Sequence, residues 1–397
     1  MLKKIINKII EGFIKTSGWV SSIIVLLIII FLFKEATGLF TKSPLEEGYV
    51  LVVNKKNPID KLSPDQLKNV FDRDSTSWKT LGGMNAPIEI FTVEDISTFY
   101  NDSMIGANME NLPWCINDHI AKTENVISYF PEKYLPKNFE GKIMHLDNVS
   151  VYQFLKNKIW LPSARPVAQV GAMPLIISTL LVSLVAILIA LPIGLAAAIY
   201  LAEVADSRIR TFLKPVIELL AGIPSVVYGF FGLVIIVPFI QKIFSLPVGE
   251  TGLTGSIILA IMALPTIITV AEDALRTVPK AMKEASLALG ATHWQTIYKV
   301  MIPYASSGIT AAAILGIGRA VGETMVALMV TGNANNFTFS LLKPIRTIPA
   351  TIAAELGEAS YGGMHFKALF ALGCILFLIT LMINVYVEYL SGKKQTK

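Results

Sequence analysis

From Met173 to Ala202 the chain carries no charged side chain. An α-helix needs only about 20 apolar residues to cross a hydrocarbon layer about 30 Å thick. The pattern repeats, giving candidate spans at 173–203, 216–240, 252–275, 304–330 and 367–390. A shorter run at 19–33 (WVSSIIVLLIIIFLF) ends at Lys34 and Glu35. Lys3, Lys4, Lys8 and Lys15 precede it, as they would a signal peptide, but no small-x-small cleavage site follows, and it reads as a retained helix. Of the 397 residues only 16% are charged and 53% are hydrophobic, against about 25% charged in an ordinary soluble domain. The fold class is therefore an all-α polytopic membrane protein with six transmembrane helices. A net charge of +5 is spread too thinly for a nucleic-acid partner. Two distant cysteines, Cys115 and Cys374, and four histidines suggest neither a disulfide framework nor a metal site.

Residues 41–165 interrupt the apolar pattern with Lys, Asp, Glu and Asn throughout, and nothing there can span. YVLVVN (49–54) and APIEIF (86–91) read as buried strands, and SPDQLKNVF (63–71) as a helix with Ser63 at the N-cap and Pro64 at N1. This is an α/β insert. The chain thus divides into a first helix with its leading segment (1–40), the insert (41–165) and a membrane domain of five helices (166–397). Basic residues cluster at the amino end, at Arg208, Arg210 and Lys214, at Arg276, Lys280, Lys283 and Lys299, and at Lys393, Lys394 and Lys397. With six spans these four segments fall on one side, which the positive-inside rule assigns to the cytoplasm. Both termini are then cytoplasmic and the insert extracytoplasmic, as expected of a multi-pass protein of the cell (inner) membrane.

The 276–303 loop, RTVPKAMKEASLALGATHWQTIYKVMIP, is built to fold. Glu284, Ala285, Ser286 and Leu287 open a helical run, Gly290 breaks it, and a second amphipathic run reaches Pro303. Such a knob fits a groove on another protein, although a helical surface loop gives the same pattern. In span 304–330, Arg319 and Glu323 are four residues apart, so a continuous helix would put them on one face. Each charge at bilayer centre costs about 2.5–3.5 kcal/mol, so such residues face a bundle interior, pair together, or meet a polar substrate. Gly318 and Gly322 would permit close helix approach. Near Pro224, Ser225 and Tyr228 can serve as hydroxyl donors to a passing anion or as parts of a kinked packing helix. Arg346, Glu355 and Glu358 read as a solvated loop before the last span.

Glu284-Ala285-Ser286, Gly290 and Pro303 resemble the "EAA…G…I-L-P" signature of ABC importer permeases, with Ser286 for Ala, Val300 for Ile and Ile302 for Leu. The resemblance implies a type I ABC importer permease bundle whose loop docks on an ATPase. More narrowly, GAMPLIISTLLVS (171–183), AGIPSVVYGFFGL (221–233), GRAVGETMVALMVTGNA (318–334) and IRTIPATIAAELGEAS (345–360) look like the C-type permease of the phosphate-specific ABC importer. That implies a substrate pathway along Arg319, Glu323, Ser225 and Tyr228, with Arg319 suited to a phosphate oxyanion by its planar fork. It also implies a second permease subunit, two copies of an ATPase, and a phosphate-binding protein as partners. ATP and magnesium would be used by the ATPase, with no catalytic residue or cofactor in this chain. A permease for sulfate or molybdate, or a stand-alone secondary transporter, is the alternative; the latter has no use for the 276–303 knob.

Residues 50–83 resemble a stretch of phosphate-binding proteins. After the strand at 86–91 those proteins have an Arg and a Ser-Gly-rich phosphate turn. Here the chain has Thr92, Val93, Glu94, Asp95, Ile96, Ser97 and Thr98 instead, and the acids would repel phosphate. The insert is thus expected to be a degenerate binding-protein-like domain that holds no phosphate by itself.

Overall fold

The structure, a computed structural model, describes residues 2–106 and 108–395, with side chains described between 10 and 389. The lysines counted at either end, Lys3, Lys4, Lys8, Lys393, Lys394 and Lys397, have side chains outside that range. The chain divides into two compact units, one of residues 1–171 with 359–371, the other of 172–358 with 372–397.

The first unit holds helix α1 (Leu2–Thr41) and the α/β insert. In the insert, strand Tyr49–Asn54 lies between antiparallel Val126–Pro131 and antiparallel Gly141–Ile143, and Glu89–Thr92 runs parallel to Val126–Pro131. Side chains alternate across a strand. Leu51 and Val53 accordingly enter one core with Leu67, Val70 and Trp78, while Val52 enters the other with Phe91, Ile116 and Ile120. Burial on both faces is what makes YVLVVN an unbroken apolar run. Helix Pro64–Phe71 starts as its sequence predicts, with Ser63 and Gln66 bonding each other's backbone amides in a capping box.

The second unit is helical. Its elements are α2 (Met173–Ile199), α3 (Ser207–Ala221), α4 (Ser225–Phe231), α5 (Val237–Ile243), α6 (Gly252–Arg276), α7 (Lys280–Ala288), α8 (His293–Thr296), α9 (Ser306–Gly322), α10 (Met325–Val330), α11 (Ile348–Glu355) and α12 (Met364–Gln395), whose first turns belong to the first unit. Among the described residues, five helical stretches are long and apolar enough to cross a membrane: Ile10–Thr41, Met173–Val204, Ser225–Ile243, Gly252–Arg276 and Met364–Tyr389. The pair His293–Tyr304 and Ser306–Gly322, bent by 72°, makes a sixth if it is one span.

Helix α6 is the centre of the unit, packing along α2 and α9. Glycines make the close approach possible: a Cβ at Gly194 would meet Ile267 Cγ2 at 2.7 Å, and one at Gly308 would meet Ala274 Cβ at 2.2 Å. The glycines expected to do this, Gly318 and Gly322, have nothing within 4 Å of the place a Cβ would take, so among the described residues no helix packs closely against them. Two expected spans also differ from the structure. The third begins at Ser225, because Gly222 and Pro224 separate it from α3. The span expected over 304–330 is broken after Gly322, where Glu323 is extended (ψ 127°) and a second short helix, α10, begins.

Candidate functional site

The break between α9 and α10 changes the relation between Arg319 and Glu323. They do not share one helix face, and among the described residues they form no ion pair. Glu323 turns forward: its Oε1 accepts from the amides of Met325 at 3.2 Å and Val326 at 3.5 Å. A carboxylate on the exposed amides of a helix start is favourable because those amides lack intrahelical partners. Arg319 donates from Nη1 to Thr266 Oγ1 of α6 at 3.2 Å. Among the described residues, that leaves most of the guanidinium's five N–H donors uncommitted in a half-buried position. Thr266 was not legible as a partner, since nothing in the sequence links positions 53 residues apart.

Tyr228 is buried, its ring hydroxyl turned to the end of α3. That hydroxyl donates to Leu220 O at 2.8 Å, a carbonyl freed where α3 ends before Pro224. Tyr228 therefore closes the helix break and packs in the unit's core beside Met262 and Ile267. Ser225, at the first turn of α4, is half-buried. So Arg319 bonds to α6 and Tyr228 to the end of α3, while the Glu323 carboxylate is engaged by α10.

Arg346 and Glu355 are not a solvated loop. Arg346 Nη1 lies 2.6 Å from Glu355 Oε1, with side-chain exposures of 12% and 15%, and the buried Arg346 Nε has no hydrogen-bond partner. The loop before α11 folds back, Gly332 bridging to Ile345 beside Arg346. Glu358 is exposed.

The 276–303 segment folds into a compact knob. Helix α7 ends in a Schellman motif: Ala291 N donates to Ser286 O, Gly290 N donates to Leu287 O, and Gly290 has φ +84°, a conformation that favours glycine. Thr292 and Gln295 form a capping box that starts α8. The Ser286 and Thr296 hydroxyls, 3.0 Å apart, tie the two helices together, a bond that an alanine at 286 could not make. Glu284, Ala285 and Pro303 are exposed, and the tip carries Leu289 at 89% and Trp294 at 62% exposure. Two large apolar side chains thus stand in the open at the tip of the knob.

In the insert, the turn after strand Glu89–Thr92 is filled from within. Asp95 Oδ2 accepts from the Thr92 amide at 3.0 Å and from the Thr92 hydroxyl at 2.7 Å. The chain's own carboxylate occupies donors that an anion would need. Among the described residues no cluster of His, Cys, Asp and Glu is placed to hold a metal ion.

Comparison with known proteins gives two family matches along the chain. The family described as "Binding-protein-dependent transport system inner membrane component" matches residues 190–395, and the "PBP superfamily domain" matches residues 34–133. A probable ABC transporter permease protein, YqgH of Bacillus subtilis, is 38% identical over 250 residues, covering 63% of this chain and 81% of that protein. The phosphate transport system permease protein PstC of Mesorhizobium japonicum is 39% identical over 258 residues, covering 60% of this chain and 78% of that protein. PstC of Pasteurella multocida is 38% identical, with 60% and 79% covered.

Proposed function

The chain belongs to the family of binding-protein-dependent transport system inner membrane components, and from that premise we propose that it is the permease subunit of an ATP-driven importer of inorganic phosphate. The observation that carries the reading is the joint presence of a membrane bundle similar to phosphate permeases and a rigid knob with an exposed apolar tip. The knob docks on an ATPase, which supplies ATP hydrolysis with its magnesium; this chain is a membrane permease and not an enzyme. One such bundle makes half of a pathway, and a second, similar permease completes it. The knob then lies in the cytoplasm with both termini, and the insert lies outside.

Arg319 is the anion-facing group. Thr266 holds one edge of its guanidinium, and the remaining donors form a fork that suits a phosphate oxyanion. Glu323 shapes the broken span by capping α10. In this arrangement its carboxylate does not neutralise Arg319, which strengthens the field offered to an anion. The insert, with Asp95 in its turn, holds no phosphate of its own and receives the separate binding protein that delivers cargo. Alternating access follows when ATP-driven closure of the ATPase pair draws the knobs together.

Uptake of radiolabelled phosphate in cells that rely on this chain for phosphate, with sulfate and molybdate as competitors, tests the reading. It predicts uptake that excess phosphate suppresses and sulfate does not. Suppression by sulfate or molybdate would assign the permease to another oxyanion.

A further inference from the structure

Helix α2 does not end as an ordinary helix. Tyr200–Val204 closes a single π turn, with Ala205 N donating to Tyr200 O at 2.8 Å. Such turns are uncommon and cluster at functional sites. Two separate segments grip this one. From α3, Arg210 donates through Nε to Leu201 O at 2.7 Å and through Nη2 to Ala202 O at 2.9 Å. From the knob, Lys283 of α7 pairs with Glu203, and the two side chains are only 22% and 10% exposed. Beneath the pair, Ile199 and Ala202 pack with Leu275, Ile297 and Met301. The last two belong to a second π turn, Ile297–Met301, which joins the knob to the bent α9.

We propose that the π turn at 200–204 receives the motion of the knob, with the Glu203–Lys283 pair as its latch and Arg210 as the positioning residue that keeps the turn's carbonyls in place. The reasoning is electrostatic and mechanical. A largely buried ion pair resists separation, because pulling it apart leaves a charge without water or partner. An apolar contact alone allows α7 to slide across α2; the ion pair fixes one register. Displacement of the knob must then carry the end of α2 with it, and α2 packs along the central helix α6. Lys283 lies one residue before Glu284 of the docking signature, so the latch and the docking face share one helical turn. The inference rests on the knob docking an ATPase, as proposed above.

The test uses the complete assembly in proteoliposomes, this chain with its partner permease, ATPase and phosphate-binding protein. Phosphate uptake and ATP hydrolysis are measured together. Lys283→Gln and Glu203→Gln should leave the ATPase bound and hydrolysing, while phosphate taken up per ATP falls about fivefold or more, the low end of couplings between distant sites. The charge exchange, Glu203→Lys with Lys283→Glu, should raise that ratio again. The latch is overturned if both single variants keep the unaltered ratio, or if the exchange does no better than the singles. Poor accumulation of a single variant is met by the exchange: recovery of amount without recovery of the ratio also overturns it. If the unaltered assembly hydrolyses ATP but moves no phosphate, the reading of the whole protein fails, and the latch fails with it.

Discussion

Thr266 and Arg319 allow a quantitative test of how the pathway holds an anion. Arg319→Lys keeps the charge and removes the fork, so one of two parallel hydrogen bonds to the oxyanion is lost. A hydrogen bond to a charged group contributes about 1.5–3 kcal/mol, and each 1.4 kcal/mol is tenfold, so uptake at low phosphate should fall by about ten- to a hundredfold. Thr266→Val removes only the Nη1 acceptor at 3.2 Å. At that length the bond belongs near the bottom of the range, about 1.5 kcal/mol or roughly tenfold. Because Thr266 acts through Arg319, the double variant should be little worse than Arg319→Lys alone, a departure from additivity expected of residues in contact. The assay is the initial rate of phosphate uptake against phosphate concentration, with membrane content of the chain measured in parallel. Undiminished uptake in Arg319→Lys would refute the fork, and simple additivity would refute the part given to Thr266.

Three further outcomes follow from packing and charge. Gly308→Val puts methyl groups where even a Cβ would lie 2.2 Å from Ala274 Cβ; overpacking of this kind costs about 1–3 kcal/mol, and thermal unfolding in detergent should show it, while Gly318→Ala, with nothing within 4 Å, should unfold no earlier than the unaltered chain. Glu355→Gln strips Arg346 of its carboxylate in a buried setting, and removing one partner of such a pair typically costs about 3–5 kcal/mol, so the same assay should show a large loss, and an unchanged midpoint would mean the pair is hydrated. In the insert, the Lys122 ammonium beside Asp118, with the Tyr100 hydroxyl, holds the Asp118 carboxyl below the usual aspartate range. A depressed carboxyl gives stability above its unfolded value of about 3.9 that is lost as pH falls through the folded value, so Asp118→Asn should lower stability at neutral pH, match the unaltered chain at the acid end, and thereby flatten the acid limb of the stability profile.

How far the sequence carried the structure depends on the range of the interaction. Strand 49–54, the Ser63 cap and the Gly290 turn are settled by neighbours in the chain, and each is visible as a local pattern. The membrane spans were legible from apolar length, but their breaks were not. Glu323 reads as one more helical residue until its carboxylate is seen on the Met325 amide, a contact that competes with helix continuation. Gly318 and Gly322 look like packing glycines by spacing, yet Gly194 and Gly308 lie where helices meet. Crossing points depend on which helices are adjacent, and one sequence does not state that. For the same reason the partners of Arg319, Arg346 and Lys283 stayed hidden: each is nine or more residues away along the chain. The charges of segment 346–358 suggest a solvated loop, whereas Ile348–Glu355 is helical and Arg346 and Glu355 neutralise each other largely out of water.

The most direct measurement is transport by purified components. Proteoliposomes holding this chain and its partner permease are loaded with ATP and magnesium, supplied outside with the binding protein and phosphate, and assayed with and without the ATPase. The account predicts phosphate accumulation only when the ATPase is present and hydrolysing, and none when the knob is altered at Gly290 to a residue that cannot hold its left-handed turn. Phosphate accumulation by the two permeases alone would contradict it.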